Sequence, residues 1–484
     1  MESIWSKTAE MREHPALTGD LTADVAVIGG GLCGILTAYR LKEHGVNAVV
    51  LEADRIGSGQ TRGTTAKITL QHGILYEKLI REFGTEAARQ YADANGWAIS
   101  EFFQIIEKNC ISCELEKMPA CVYSLSAEDL PLLTNEAEAA RNLGIEAQLI
   151  TKTELPFSVA GGVQFTGQAQ FHPLRFLGAL ADELTVYEHT AVRQAEGHLL
   201  HTDRGDVSAE QVVFATHFPF VNQPGYYFAR MHQSRSYLLA LEHAPKLDGM
   251  YLGIGEEGFT FRSSGKYLLM GGGDHRTGEN REGGKYDLLR RKAAEWFPGS
   301  TEAAHWSAQD CMPLDGVPYI GPFSPSAPGW FVATGFGKWG MTGSMVASRI
   351  LSDQILGKKN PWEEVFSPRR FTPAASVKAL FTESGQAVKC LSKELFAPPR
   401  AELDALPKGH GGIVEYSGKK VGVYKDEAGE VFLVSTRCPH LGCQLEWNPD
   451  EKSWDCPCHG SRFDYRGRLI DNPAQCDLEG ADHA

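Results

Sequence analysis

Toward the end of the 484-residue chain, two short stretches collect side chains that bind metals: Cys438-Pro-His440-Leu-Gly-Cys443 and Cys456-Pro-Cys458-His459-Gly-Ser461. Each supplies a thiolate and an imidazole. Two such loops suit a 2Fe-2S centre in which one iron takes two sulfurs and the other two nitrogens. Tetrahedral zinc uses the same ligand types, but it would leave Cys443, Cys458 and the Gly-Ser after His459 without a role.

A second kind of chemistry is written near the start. Gly29-Gly-Gly31-Leu-Cys-Gly34 follows the apolar run Asp24-Val-Ala-Val-Ile28 and opens a stretch with Ile35, Leu36, Tyr39 and Leu41 at roughly helical spacing. A further apolar run, Ala48-Val-Val-Leu51, ends at Glu52. This is a strand, helix, strand unit with the glycine pattern that cradles a dinucleotide pyrophosphate. Gly29 permits the tight turn, Gly31 lets the backbone approach the phosphates, Gly34 lets helix and strand pack closely, and Glu52 would bind the ribose hydroxyls. The loop from residue 57 to 67, with Gly59 and Thr65, is built of small residues and backbone donors that suit the extended FAD. Much later, Thr334-Gly335-Phe-Gly337-Lys338-Trp-Gly340-Met341-Thr342 precedes a helical pattern. Such a turn can aim amides and a helix dipole at the flavin edge where charge accumulates on reduction. Gly335, Gly340, Met341 and Thr342 are therefore expected at the cofactor.

Positioning these two sites takes more than one body, and the length suggests about three domain-sized units. Residues 76 to 150 read as largely helical, and residues 226 to 300 carry alternating strand-like runs such as Tyr237-Leu-Leu-Ala-Leu241. Residues 1 to 23 read as a polar lead-in. Residues 374 to 395 have helical spacing broken by Gly385, which predicts a connecting helix pair. From Ile413 the period changes to short β runs.

At these residues the chain resembles two families. From about 21 to 362 it is similar to the D-amino-acid oxidase superfamily, which includes glycine and sarcosine oxidases; from about 407 to 479 it is similar to the Rieske proteins of cytochrome bc complexes. The first resemblance implies an α/β FAD-binding Rossmann-like domain with an interleaved α+β substrate domain, and the second an all-β Rieske domain after them. The FAD-binding segments would be about 21–75, 151–225 and 301–357, the substrate domain 76–150 and 226–300, a helical linker 363–400, and the Rieske domain 401–484. Val192 matches the position whose backbone holds the adenine. By the Rieske resemblance Cys438 and Cys456 bind the inner iron, His440 and His459 bind the outer one and face a partner or solvent, and Cys443 and Cys458 form a disulfide. Ser461 matches a hydroxyl that donates to a cluster sulfide. Phe463 replaces a tyrosine that reaches a ligand sulfur in high-potential members, which implies a lower potential here.

Flavin and cluster in one chain imply a dehydrogenase that oxidises an amine or amino acid and hands electrons singly to an external acceptor. The alternative is an electron-transfer protein fed by a protein or quinone partner, without amine oxidation of its own. A carboxylate-bearing substrate would call for an arginine fork. Arg230, Arg235, Arg262 and Arg276 fall in the expected substrate region, read as surface salt-bridge partners, and Asp310 or Cys311 could line the flavin pocket. A Rieske oxygenase would need a mononuclear iron on two histidines and a carboxylate, for which His217, His232, His243 and His275 are available. Cys110 and Cys113 read as ordinary thiols. The net charge of -14 argues against nucleic acid. No apolar run reaches membrane-spanning length and no signal peptide is evident, so a cytoplasmic location is expected.

Overall fold

The computed structural model describes residues 2–255, 258–370, 406–416 and 418–480. Strand Leu21–Ile28 is buried along its second half, as a run flanked on both sides by parallel neighbours requires. It pairs in parallel with Ala48–Leu51 on one side and Gly205–Phe214 on the other. Thr185–Tyr187 and Trp330–Thr334 extend this sheet in parallel, and Tyr319–Pro322 closes one edge in the antiparallel sense. Helices Leu32–Glu43 and Gly340–Ile355 pack on one face, each beginning directly after a glycine-rich turn. The two turns are thus carried on adjacent helices.

A larger sheet runs in the order Thr301–Pro313, Met231–Glu242, Tyr267–Arg276, Thr260–Ser264, Met250–Gly253, Glu116–Ser124, Gly161–Gln170 and Lys67–Ile68. Strands Gly161–Gln170 and Thr301–Pro313, which fall in segments expected to bind FAD, therefore belong to this second sheet. Alternation along a strand says which face is buried and does not say which sheet the strand joins. The lead-in is also more structured than its polarity suggests. Ile4–Thr8 is a short helix whose Trp5 is fully buried, with its Nε1 donating to Thr64 O at 2.8 Å, so the N-terminus braces the flavin loop. The expected helix pair at 374–395 lies outside the described residues.

The C-terminal module is all β. A three-stranded antiparallel sheet (His410–Tyr416, Lys419–Lys425, Val431–Ser435) is followed by a four-stranded one (Glu446–Asn448, Ser453–Asp455, Arg462–Asp464, Leu469–Asp471). Tyr424, Leu445, Trp447, Trp454 and Phe463 share one core with Cys438, Cys443, Cys456 and Cys458. The first metal-type loop lies just ahead of the four-stranded sheet and the second joins two of its strands, so rigid pairs hold both.

Candidate redox centre and flavin site

The two cysteine loops are built alike. Gly442 N donates to Cys438 O at 2.9 Å, as Gly460 N does to Cys456 O at 3.0 Å; Cys438 N donates to Cys443 O, as Cys456 N does to Ser461 O. Gly442 and Gly460, with φ of 81° and 83°, hold the left-handed turn in each. The loops are clipped by a disulfide between Cys443 and Cys458, the pair implied by resemblance. The sulfurs of Cys443, Cys456 and Cys458 lie within 4.8 Å of one another. Two of them are already bonded together, so they cannot serve as thiolates. The unbridged cysteines of the two loops are Cys438 and Cys456, both buried. A hydrogen bond from the Cys456 thiol, with amides of His440 and Leu441 and the Ser461 hydroxyl, holds Cys438 down at about 7, while the same pairing pushes Cys456 up. The pair shares a proton and thiolate character that a cation would draw on.

The rings of His440 and His459 stand at right angles, centroids 4.9 Å apart. Burial pushes His440 down to about 4, so the ring is neutral, and its Nδ1 is buried with no hydrogen-bond partner. Two neighbouring thiols and two imidazoles, one with a buried orphan nitrogen, fit a mixed sulfur and nitrogen cluster.

The histidine edge does not face solvent or a separate partner, as expected above. It faces the flavin body of the same chain. His440 Nε2 lies 2.7 Å from Asn222 Oδ1, and Phe228 meets His459 and His440 edge-on at 5.5 and 6.1 Å. Gln233 Nε2 donates to His459 O at 2.7 Å and Gln309 Nε2 to Gly460 O at 3.0 Å. Asn472 Nδ2 donates to Thr216 O and Phe218 O, just past strand Gly205–Phe214. Gln60, in the flavin loop, reaches Asp471 at 3.1 Å. A Cβ on Gly460 would meet the Gln233 side chain at 2.7 Å, so the loop tip lies flush on the body. Asn222, Phe228, Gln233 and Gln309 were not singled out by sequence, because isolated polar and aromatic residues carry no spacing signal.

At the first glycine turn, a Cβ on Gly34 would lie 1.9 Å from Gly29 O, and one on Gly29, at φ 109°, would lie 2.6 Å from Ala215 O. Gly31 meets only Thr61 Oγ1, at 3.4 Å, leaving an open approach to the helix start. Glu52 accepts from Gly30 N at 2.6 Å and Asp54 N at 2.9 Å; burial raises its carboxyl despite those bonds, a cost that ligand hydroxyls would offset. Val192 begins the strand next to the Glu188–Ala191 turn, where Thr190 N donates to Glu52 O. Gly59 precedes a short 3-10 turn. Thr65 O and Ala66 O both accept from Arg262 Nη1, at 2.8 and 2.6 Å. Gly335, at φ 73°, carries the second turn, and Gly340 and Met341 open helix Gly340–Ile355. The Thr342 hydroxyl donates to Thr69 O, so only its amide is left for a flavin. His72, stacked on Trp339 at 4.8 Å and pushed down to about 3 by burial, completes this brace.

Arg235 and Arg262 are not surface residues. Arg262 and Arg235 are 1% and 2% exposed; Arg262 fastens the flavin loop and Arg235 pairs with Glu451 of the C-terminal module. Arg276 Nε donates to Pro457 O at 3.2 Å, and Arg230 lies over Tyr319 at 4.2 Å with Nη2 on Pro368 O. Arg235 departs from the expectation because the C-terminal module covers its end of the larger sheet, and Arg262 because the flavin loop folds over it. Asp310 lies on the opposite strand face from Gln309. Burial pushes its carboxyl up to about 6, with Lys338 and Asp274 as charged neighbours. Cys311 is buried and its thiol, raised by burial, donates to His217 O at 3.5 Å. His217, His232, His243 and His275 join no group of three closely spaced ligand atoms among the described residues. Cys110 is exposed and Cys113 buried, unbridged. Among the described residues no helix is long and apolar enough to cross a membrane.

Comparison with known proteins identifies both domains. Residues 24–354 match the family model for FAD dependent oxidoreductases, and residues 398–480 match the Rieske [2Fe-2S] domain. A Bacillus subtilis (strain 168) protein named "Putative Rieske 2Fe-2S iron-sulfur protein YhfW" is 36% identical, covering 98% of this chain and 96% of its own. Gamma-glutamylputrescine oxidoreductase of Escherichia coli (strain K12) is 25% identical over 41% of this chain and 50% of its own. In structure, glycine oxidase from Geobacillus kaustophilus superposes with a TM-score of 0.61 at 22% identity, covering 72% of this chain and 99% of the other. This chain belongs to the FAD-dependent oxidoreductase family and carries, after that domain, a Rieske domain for a 2Fe-2S cluster.

Proposed function

We propose that the protein is an FAD-dependent dehydrogenase that oxidises the C–N bond of an amine or amino acid and passes the electrons through its own Rieske cluster to an external acceptor. The observation that carries this reading is the docking: both histidine-bearing loops sit on the flavin body, beside segments that flank the cofactor turns. When bound, FAD supplies two-electron chemistry and the cluster one-electron relay. Cys438, Cys456, His440 and His459 would hold the cluster, and Gly29, Gly31, Gly34, Glu52, Gly59, Thr65, Val192, Gly335, Gly340, Met341 and Thr342 would lie along FAD.

The chain's own residues favour an amine without a carboxylate. Each of the four arginines donates to a carbonyl or a carboxylate of this chain. Asp310 instead offers a half-buried carboxylate beside the second glycine turn, where a cationic amine would be oriented by its charge. The test is anaerobic addition of amines and amino acids to the holoprotein, with flavin bleaching followed by absorbance and the cluster by electron paramagnetic resonance. Bleaching by an amine, followed by cluster reduction, supports the reading. Reduction of the flavin only by a redox protein or a quinol would replace it with the electron-transfer alternative.

A further inference from the structure

The docked Rieske loops leave open how electrons leave, since the flavin body covers the histidine edge. Next to that edge is a cavity of about 690 Å³ lined by Gln223, Tyr226, Arg230, Phe323, Pro368 and Arg369, among others. It begins one residue beyond Asn222, the partner of His440. Tyr226 is 51% exposed, and its ring meets Phe228 edge-on at 6.1 Å. Phe228 in turn meets the rings of His459 and His440. Two ring contacts therefore join the outer iron ligands to the cavity wall.

The charge of the cavity is opposite to that of the chain. Among the described residues its charged lining is Arg230 and Arg369, with no carboxylate, on a protein of net charge -14. A concave cationic spot on an acidic surface concentrates anions. Arg230 is fixed over Tyr319 and Tyr227, at 4.2 and 5.4 Å, with Nη2 on Pro368 O, so its positive charge is held in place in the cavity wall while Arg369 is the cation left to meet an anion. Tyr226, Phe323 and the prolines add flat apolar walls, and the volume is that of a small-molecule site.

We propose that this cavity binds the acceptor that empties the cluster, and that the acceptor is a small aromatic molecule carrying an anionic group. The proposal rests on the electron direction given above. In each step the reduced cluster loses one electron and the acceptor gains one; two such steps discharge the pair taken from one substrate C–H bond, and the substrate's protons pass to water.

The test uses holoprotein and anthraquinone-2-sulfonate as the probe. Binding to the oxidised protein is measured by calorimetry, with neutral anthraquinone diol as comparison, for the parent, Arg369→Glu and Tyr226→Ser. The anion is expected to bind one site, and Arg369→Glu to weaken it by about tenfold as an attracting charge becomes a repelling one. Separately, the cluster is reduced by photoreduction of the flavin, without any amine, and its reoxidation by a quinone sulfonate is followed in the parent and Phe228→Leu. Slower reoxidation with unchanged filling of the cluster supports the route. Equal binding and equal reoxidation in all variants overturn the cavity and leave the flavin-to-cluster reading standing. Failure of the photoreduced flavin to fill the cluster overturns that reading itself.

Discussion

Glu451→Gln should loosen the Rieske domain from the flavin body, and the size of the effect can be worked out from the contacts. The Glu451 side chain is 3% exposed and lies between two guanidinium groups. Arg235, 2% exposed, reaches across from the flavin body to both of its oxygens, and Arg462 Nη2 lies 2.6 Å away. Burial alone would push this carboxyl up; Arg235 and Arg462 outweigh it and hold it at about 2. Against its ordinary 4.5, that depression corresponds to roughly 3 kcal/mol favouring the ionised form. The amide keeps the shape and removes the charge. It leaves Arg235 buried with only Asp471, at 3.9 Å, as a countercharge, and breaking a buried pair costs about 3–5 kcal/mol. Urea unfolding at pH 7, followed by the fluorescence of Trp447 and Trp454, should show a loss of this size, and flavin-to-cluster electron transfer after photoreduction should slow. Because the folded carboxyl is depressed, its contribution is full above about pH 4.5 and fades as pH falls toward 2, so the two proteins should converge in acid. Adding Arg235→Met should restore part of the loss, since an apolar pair needs no countercharge. A loss below about 1 kcal/mol, the worth of an exposed pair, together with unchanged transfer, would refute this account of the docking.

Phe463 is fully buried in the core that holds the ligand cysteines. Phe463→Tyr should raise the cluster midpoint by roughly 40 mV, one added hydrogen bond of about 1 kcal/mol in a one-electron couple, and film voltammetry showing no rise would mean that the ring does not reach a sulfur. Cys443→Ala should keep the cluster but shorten its lifetime in air, read from the decay of its absorbance; equal lifetimes would show that the clip does not brace the loops. Cys438→Ser should abolish the cluster signal while flavin content stays at parent level, and loss of both would tie the two sites together more tightly than their separate cores suggest. For an amine substrate the apparent KM should fall as pH rises through about 6, where Asp310 ionises, and Asp310→Asn should flatten that profile; a parent profile already flat would remove Asp310 from substrate binding.

The parts legible in the sequence are those whose chemistry is local. Gly34 is read from spacing because it must be glycine for a contact within one strand, turn and helix, and Gly29 because it holds the left-handed turn between that strand and helix. The cysteine loops are legible because each is closed by its own backbone hydrogen bonds. The docking is not, because it pairs residues far apart, as Arg235 and Glu451 are by 216 positions. Arg235 reads as a surface salt-bridge partner, and nothing local shows that a second domain buries it. Charge gives a partial signal. Within the small β module, Glu451, Asp455 and Asp471 all converge on a single buried arginine, Arg462. One buried cation faces three carboxylates, and charges taken out of water need partners. In this chain the flavin body adds a second cation, Arg235, to that group. The Rieske domain is thereby electrostatically incomplete on its own, which favours a fixed, docked relay over a freely detached one.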